Sequence, residues 1–254
     1  MPEIITIISP KGGSGASFCC AGLWSALMEK SHSVIAADAC FEKNGLDYIL
    51  GFSSDYVYTM SDVIEESCSL DEALCKRDLG SFIRFDYENN FFNVGMAMET
   101  LKNTDYEYVL IDANDRNEEF LNELLGYTDK LIFVTDPGEL SVKHCEILAG
   151  KLEFENSYVI VNKIIPSYIH AGVNYTIDEI LDAVSQAPIG LLPWSPEAEI
   201  IIKQGVKHGI EDKGLKCAFS NTADRICGVP AKAYDFKKTY DCFKLGRNFS
   251  VKGD

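Results

Sequence analysis

The residues best suited to chemistry lie near the start of the chain, at positions 11–17, which read KGGSGAS. The apolar run Ile4–Ser9 precedes them and predicts a strand, and the pattern over Ser17–Lys30 predicts a helix. In a glycine-rich turn between a strand and a helix, backbone N–H groups can converge on phosphate oxygens because no Cβ obstructs them. The helix N-terminus adds the positive end of its dipole, and the Ser17 hydroxyl is a suitable ligand for Mg²⁺.

This segment therefore predicts a phosphate-binding loop. A strand-to-helix turn without a ligand can be equally rich in glycine, but Lys11 before the glycines and Ser17 after them favour the phosphate interpretation. The candidate binding residues of the loop are Gly12, Gly13, Ser14, Gly15, Ala16 and Ser17.

The elements that must position this loop follow from the hydrophobic pattern. Several apolar runs, such as VLID and LIFVT, have no polar alternation, which is typical of parallel strands covered on both faces. The predicted strands are Ile4–Ser9, Ser33–Asp38, Phe91–Val94, Tyr108–Asp112, Lys130–Thr135, Tyr158–Asn162 and Ile189–Leu192. The predicted helices are Ser17–Lys30, Ser61–Glu66, Asn117–Gly126, Ser141–Glu153, Thr176–Ser185, Pro196–Gln204 and Leu215–Cys227. Ser61 and Thr176 are predicted N-caps, and Glu179 stands at capping-box spacing from Thr176.

This alternation predicts an α/β fold with a doubly wound, mostly parallel sheet and helices on both faces. We expect one domain over residues 1–228 and a C-terminal tail over residues 229–254. Gly228 and Pro230 form a helix-stop signal. The net charge also changes there, from −19 over residues 1–228 to +3 over the tail.

Composition excludes several classes of protein. The chain has 254 residues and a net charge of −16, which argues against sequence-independent binding to nucleic acid. No apolar run approaches the roughly 20 residues that span a bilayer, and the N-terminus does not resemble a signal peptide. Nine cysteines without C-x-x-C spacing indicate buried thiols in a reducing compartment rather than a disulfide or zinc framework. We therefore expect a cytoplasmic protein.

Residues 11–17 resemble the deviant Walker A motif of the MinD/ParA family of positioning ATPases, which reads KGGxGK followed by Thr or Ser. The likeness continues in the family's order through VIAAD at 34–38, YVLIDA at 108–113, LIFVTDP at 131–137, VIVNK at 159–163, GLLPW at 190–194 and AFSNTADRICG at 218–228. The resemblance implies a P-loop fold that binds ATP or ADP with Mg²⁺ and dimerises through its nucleotide face.

The resemblance also implies roles for individual residues. Lys11 matches the signature lysine, which in relatives reaches the partner's nucleotide, and Asp38 matches a carboxylate of switch I. These two residues are the candidate catalytic residues. Ser17 and Asp112 are the candidate Mg²⁺ site, and Asn162 and Pro193 lie where the family contacts adenine.

Each of these roles has a simpler alternative. Lys11 can be a solvated surface charge, or it can fold back to cover the phosphates of its own subunit. Asp38 can be a strand-end cap, Asn162 a turn residue, and Pro193 a strand-ending proline.

Three departures from the family pattern concern the γ-phosphate. The second lysine of the loop is Ala16, and the second aspartate of switch I is Cys40. Residues 113–116, which read ANDR, replace the segment that follows the Walker B aspartate. Because phosphoryl transfer depends on placed positive charge, these changes predict weak or absent hydrolysis.

In the tail, Phe236, Tyr240 and Phe243 fall on one helical face beside lysines. Relatives of the MinD type carry a membrane-targeting helix at this end, so residues 234–249 are a candidate peripheral contact with the inner face of a membrane. A helix packed on the domain, or a dimer contact, would show the same pattern.

These patterns favour a degenerate MinD/ParA-like protein that marks or scaffolds a cellular location and binds an unidentified protein cargo. Pilus-assembly members of the family are the nearest analogy. The first alternative is an active ATPase that drives positioning of a septum, a pilus or another cargo. The second is a DNA-partition ATPase, which the acidic charge disfavours.

Overall fold

The computed structural model describes residues 1–40, 45–53, 55–86, 92–113, 118–206, 210–234 and 236. Its strands are β1 (Glu3–Ile8), β2 (Val34–Asp38), β3 (Cys75–Arg77), β4 (Gly80–Arg84), β5 (Tyr108–Asp112), β6 (Lys130–Thr135), β7 (Ser157–Ile164) and β8 (Ala187–Pro193). Its helices are α1 (Ala16–Glu29), α2 (Leu46–Leu50), α3 (Met60–Ile64), α4 (Leu70–Ala73), α5 (Val94–Lys102), α6 (Glu118–Leu125), α7 (Glu139–Leu152), α8 (Pro166–His170), α9 (Ile177–Val184), α10 (Pro196–Gln204) and α11 (Lys213–Ile226).

The strands form one sheet in the order β3-β4-β2-β5-β1-β6-β7-β8, and all pairings except β3 with β4 are parallel. The chain therefore winds outward from β1 in both directions, and β5 and β6 flank β1. In such sheets, ligands bind at the carboxyl ends of the strands, where the winding direction reverses. The loop after β1 lies at that position.

Helices cover both faces of the sheet, as the apolar strands require. One buried cluster includes side chains of α1, α2, α10 and α11, and the other includes side chains of α3, α5, α6, α7 and α9. Helices α1 and α11 approach closely at Gly22, where an added Cβ would lie 2.2 Å from the ring of Phe219. The doubly wound α/β fold predicted from the sequence is therefore confirmed.

Most predicted elements are present, with one clear error and several omissions. The predicted strand Phe91–Val94 is wrong over its described residues, because Asn93 caps α5 by accepting a hydrogen bond from the backbone N–H of Met96. The sequence also left β3, β4, α2, α4, α5 and α8 unassigned. The predicted N-cap Thr176 is confirmed with its capping box, whereas Thr59 rather than Ser61 is the N-cap of α3.

The start of the predicted tail packs on the domain. Phe236 is fully buried and lies edge-on to Tyr234, with 4.8 Å between the ring centroids. The backbone carbonyl of Ala231 accepts a hydrogen bond from Nε of Arg225. Phe236 is therefore unavailable for the membrane-facing surface predicted over residues 234–249; Tyr240, Phe243 and the rest of that segment lie outside the described residues.

The described residues contain no helix long and apolar enough to cross a membrane. Half of the eight described cysteines are buried thiols, namely Cys19, Cys20, Cys40 and Cys145, whereas three are partly buried and Cys217 is exposed, so the expectation that most of the cysteines are buried is met only in part. The domain boundary at residue 228 remains a prediction.

Candidate functional site

The glycine-rich loop connects β1 to α1 at the carboxyl edge of the sheet. Gly15 is the N-cap of α1 and has a left-handed conformation (φ +94°), as does Gly13 (φ +88°). No side-chain cap is present at this helix start among the described residues, so the first N–H groups of α1 remain available to an anion. A Cβ on Gly15 would lie 2.5 Å from Nδ2 of Asn162. The backbone thus forms a cradle that accepts glycine but no larger residue at this position.

Two neighbouring residues of β7 hold the loop from one side. Asn162 donates a hydrogen bond from Nδ2 to the backbone carbonyl of Ser14 (2.9 Å). Lys163 donates from Nζ to the carbonyl of Gly13 (2.7 Å). Asn162 is 3% exposed, so in this structure its amide group supports the loop. Its contact with adenine remains a prediction.

A second set of contacts holds the loop from the side of β6 and α7. Ser14 donates from Oγ to Oδ2 of Asp136 (3.1 Å), and Ser141 donates to the same oxygen (2.5 Å). The Lys11 ammonium donates to Oγ of Ser141 (3.2 Å) and lies 3.7 Å from Oδ2 of Asp136. Lys11 is therefore neither fully solvated nor extended away from its own subunit. It rests beside the loop with a carboxylate partner.

Two buried aspartates face each other across adjacent strand ends. Asp38 of β2 and Asp112 of β5 are paired in register, and their carboxylate oxygens lie within 4.8 Å of each other and of Sγ of Cys40. The Ser17 hydroxyl is hydrogen-bonded to Asp112. Two carboxylates and a hydroxyl at the start of α1 form the kind of oxygen-rich site that suits Mg²⁺.

Burial controls the protonation of this pair. It raises the pKa of Asp112, and the neighbouring Asp38 raises it further, against hydrogen bonds from Ser17 and Cys40 that lower it, to about 7. Burial likewise raises the pKa of Asp38 to about 6, against the lowering effect of the Cys40 N–H group. A divalent cation between the strand ends would instead lower both pKa values, because it would stabilise the charged carboxylates.

This pair makes the stability of the metal-free protein sensitive to pH. Between pH 4 and pH 7 the folded chain retains protons on the pair that the unfolded chain has lost, so increasing pH favours unfolding by about 1.4 kcal/mol per pH unit for each such proton. We therefore expect Asp112→Asn, which removes one of these protons, to gain stability relative to wild type as pH rises.

Urea unfolding in EDTA from pH 4.5 to 7.5 measures the difference in unfolding free energy between Asp112→Asn and wild type. The exposed residue Asp105 supplies the matched control, because Asp105→Asn removes a carboxyl group far from the pair and should leave the difference flat. A difference for Asp112→Asn that is independent of pH would show that the folded state does not retain the proton.

An open cavity of about 300 Å³ runs from the loop to the end of β8. The loop residues Ala16 and Ser17 line one end. Pro193 and the half-exposed Trp194 line the other. This combination of a polar loop and an apolar wall suits a ligand with phosphates at one end and a flat ring at the other.

The structure thus brings the predicted loop residues, Lys11, Ser17, Asp38, Asp112, Asn162 and Pro193 to one edge of the sheet. Their individual roles remain predictions. The sequence did not single out Asp136, Ser141 or Lys163 as site residues. Asp136 follows the last residue of an apolar strand, Thr135 of β6, so its position resembles the strand-end positions of Asp38 and Asp112, and that signal was available.

Comparison with known proteins shows which proteins the chain resembles. No family model matches the chain. The septum site-determining protein MinD of Synechocystis is 28% identical over 255 residues, which cover 95% of each chain. Among solved structures, a chain of the MinC:MinD cell division protein complex of Aquifex aeolicus superposes with a TM-score of 0.80 at 24% identity, over 97% of this chain and 99% of that one. The septum site-determining protein MinD of Pyrococcus horikoshii, solved with Mg-ADP, superposes with a TM-score of 0.74 at 22% identity, over 89% of this chain and 96% of that one. The chain has the fold of the MinD/ParA P-loop ATPases and is similar in sequence to MinD.

Nucleotide and Mg²⁺ are the cofactors typical of the MinD/ParA family. The residues of this chain fit both. Gly13 and Gly15 are left-handed and the N-terminus of α1 has no side-chain cap, which leaves N–H groups of the loop available to phosphate. The carboxylates of Asp38 and Asp112 at the strand ends, with the Ser17 hydroxyl at the start of α1, offer the oxygen donors that Mg²⁺ prefers. This chain has an alanine, Ala16, rather than a lysine at the first residue of α1.

Proposed function

We propose that this MinD/ParA-like protein binds Mg-ATP or Mg-ADP at the loop of residues 11–17 and acts as a nucleotide-linked positioning or scaffolding factor with weak or absent hydrolysis. The observation that carries the proposal is the glycine-rich cradle at Gly13 and Gly15, where the uncapped N-terminus of α1 lies beside the half-buried Ser17 and the buried Asp112. This arrangement can orient phosphates and a cation without any further change in the chain.

Two substitutions support slow hydrolysis. Ala16 offers a methyl group where a lysine would compensate the charge that develops on the phosphoryl group. Cys40 places a thiol beside Asp38 and Asp112, and its Sγ donates to the backbone carbonyl of Asp112 (3.5 Å). A neutral thiol in this environment is a poor acceptor for the proton of an attacking water. Binding and hydrolysis therefore have different requirements at this site, and this chain retains chiefly the residues for binding.

An active ATPase is the second candidate, and one observation favours it. Asp38 remains at the end of β2, buried and close to Asp112. Its raised pKa makes it a plausible proton acceptor near neutral pH. On this alternative, Asp38 alone would orient the attacking water.

The name of the Synechocystis relative suggests septum-site placement as the process, and the Aquifex complex suggests a protein partner of the MinC type. A homodimer through the nucleotide face would require Lys11 to leave Ser141 and Asp136 and reach toward the second subunit. The contacts of Lys11 with Ser141 and Asp136 contribute little free energy, because the Lys11 side chain is 39% exposed. We also propose peripheral membrane contact through the part of the tail that follows Phe236, which lies outside the described residues.

Calorimetry with Mg-ATP, Mg-ADP and each nucleotide in EDTA, combined with light scattering on the same samples, tests the proposal. We expect Mg-dependent binding in the micromolar range and a doubling of mass with ATP. Phosphate release near or above about 1 s⁻¹, which is ordinary for an enzyme, would favour the second candidate. A dimer that forms without measurable affinity for either nucleotide would contradict the nucleotide-linked role.

A further inference from the structure

Lys163 occupies an unusual position at the end of β7. Its backbone is left-handed (φ +55°), a conformation that costs a residue with a Cβ roughly 1–2 kcal/mol. The pairing of β7 with β8 is irregular at this point, between Val161 and Ile164. The turn directs the Lys163 side chain to the glycine-rich loop, where Nζ lies 2.7 Å from the carbonyl oxygen of Gly13.

The charge of Lys163 is uncompensated, in contrast with that of Lys11. Both lysines line the cavity next to the loop, but Lys11 pairs with Asp136. Among the described residues, Lys163 forms no ion pair, and the hydrogen-bond partner of its ammonium is the neutral carbonyl of Gly13. An ammonium group has three donors, so Lys163 retains both charge and hydrogen-bonding capacity for an anion in the cavity.

The field of Lys163 reaches the start of α1. Burial and the nearby Asp112 raise the pKa of the Cys19 thiol in the first turn of α1, and the Lys163 ammonium opposes that rise. Phosphates bound at the helix N-terminus would lie in the same field. In most P-loop proteins this region receives its positive charge from a lysine within the loop, and here that position is Ala16.

We propose that Lys163 supplies the phosphates of a bound nucleotide with the positive charge that Ala16 cannot provide. The proposal rests on the proposed function, since it assumes that a nucleotide binds at residues 11–17. Lys163 has two separable properties in this role. Its hydrogen bond holds the carbonyl of Gly13, and its charge attracts phosphate. A residue that only tethered the loop would need the first property but not the second.

Substitutions at Lys163 separate the two properties. Lys163→Gln keeps an N–H donor for Gly13 but removes the charge, Lys163→Met removes both, and Lys163→Arg keeps both. Lys203→Gln is the matched control, because Lys203 lies exposed on α10 outside the cavity lining. Calorimetric affinities for Mg-ATP, Mg-ADP and adenosine, with thermal unfolding of each variant to confirm folding, give the readouts.

We expect Lys163→Gln and Lys163→Met to weaken Mg-ATP binding by about tenfold or more, the size typical of a lost charge-assisted hydrogen bond. The affinity for Mg-ADP should fall less than that for Mg-ATP, and the affinity for adenosine should not change. Lys163→Arg and Lys203→Gln should resemble wild type. Wild-type affinity for ATP in Lys163→Gln would overturn this inference and leave the proposed function intact. Equal losses for all three ligands would also overturn it, because they would indicate a structural role. Failure of the wild-type protein to bind any nucleotide would instead overturn the proposed function, and this inference with it.

Discussion

Combining Ala16→Lys with Cys40→Asp should raise the rate of ATP hydrolysis by about 100-fold or more. Removal of one preorganised group that stabilises developing charge costs about 10²–10³ in rate in other enzymes, and the double variant adds one such group on the phosphate side and a carboxylate on the water side. Phosphate release under single-turnover conditions measures the change without interference from product release.

The geometry favours this gain at both positions. Ala16 is the first residue of α1 and, although it is only 2% exposed, it contributes to the cavity wall, so a lysine there would start beside the cavity. Cys40 lies within 4.8 Å of the carboxylates of Asp38 and Asp112. We expect Ala16→Lys alone to tighten ATP binding and the Cys40 change to act mainly on turnover.

The matched control for the second position is Cys40→Ser, which restores a small polar group without charge. It should leave turnover close to that of Ala16→Lys alone. If the double variant hydrolyses ATP no faster than wild type, Ala16 and Cys40 are not what limits hydrolysis, and the explanation must lie elsewhere, with residues 113–116 as the next candidates.

The same double variant carries a cost in the metal-free state. A third carboxylate beside Asp38 and Asp112 adds like charge to a buried pair whose pKa values are already raised. We therefore expect the variant to unfold at lower urea concentration in EDTA than in excess Mg²⁺, by a wider margin than wild type.

The strands that the sequence predicted well share one property. β5 and β6 match their predicted bounds because they are apolar except at their ends and lie in the interior of the sheet. β3 is an edge strand and β4 lies next to it. They read CKR and GSFIR, so charged residues and glycine interrupt the apolar pattern. The Arg84 guanidinium lies 3.8 Å from the carboxylate of Asp47 and donates to the Tyr56 hydroxyl, which explains an arginine at the end of a strand but could not be inferred without these tertiary contacts.

In the site, too, the features set by neighbouring residues could be predicted from the sequence, whereas those that depend on distant residues could not. The loop of residues 11–17 is a contiguous motif, so its place between β1 and α1 could be predicted. The supports of that loop come from β7 and from the segment after β6, more than 100 positions away in the chain. Asp136 had a strand-end signal, but nothing in the sequence specifies that the Lys163 side chain would turn to Gly13, because that direction depends on a local left-handed backbone.

Gly15→Ala should have the largest effect of any single substitution of the loop. The methyl group would lie 2.5 Å from Nδ2 of Asn162 and would occupy a backbone with φ +94°. The left-handed conformation costs a residue with a Cβ about 1–2 kcal/mol. Displacement of Asn162 from the carbonyl of Ser14 costs about 1–3 kcal/mol more, because both groups are buried. We expect the free energy of unfolding to fall by about 2 kcal/mol or more, as urea unfolding would measure, and ATP affinity to fall by about 100-fold.

Two comparisons identify the cause of this loss. Gly12→Ala adds the same methyl group where no atom lies within 4 Å of it, so its unfolding free energy should stay within about 0.5 kcal/mol of wild type. In an Asn162→Ser background the clash disappears and the backbone strain remains. The cost of Gly15→Ala should therefore drop to about 1 kcal/mol there, and a double-mutant cycle measures the difference. An undiminished cost in that background would mean that the conformation of Gly15, rather than its contact with Asn162, keeps the cradle open.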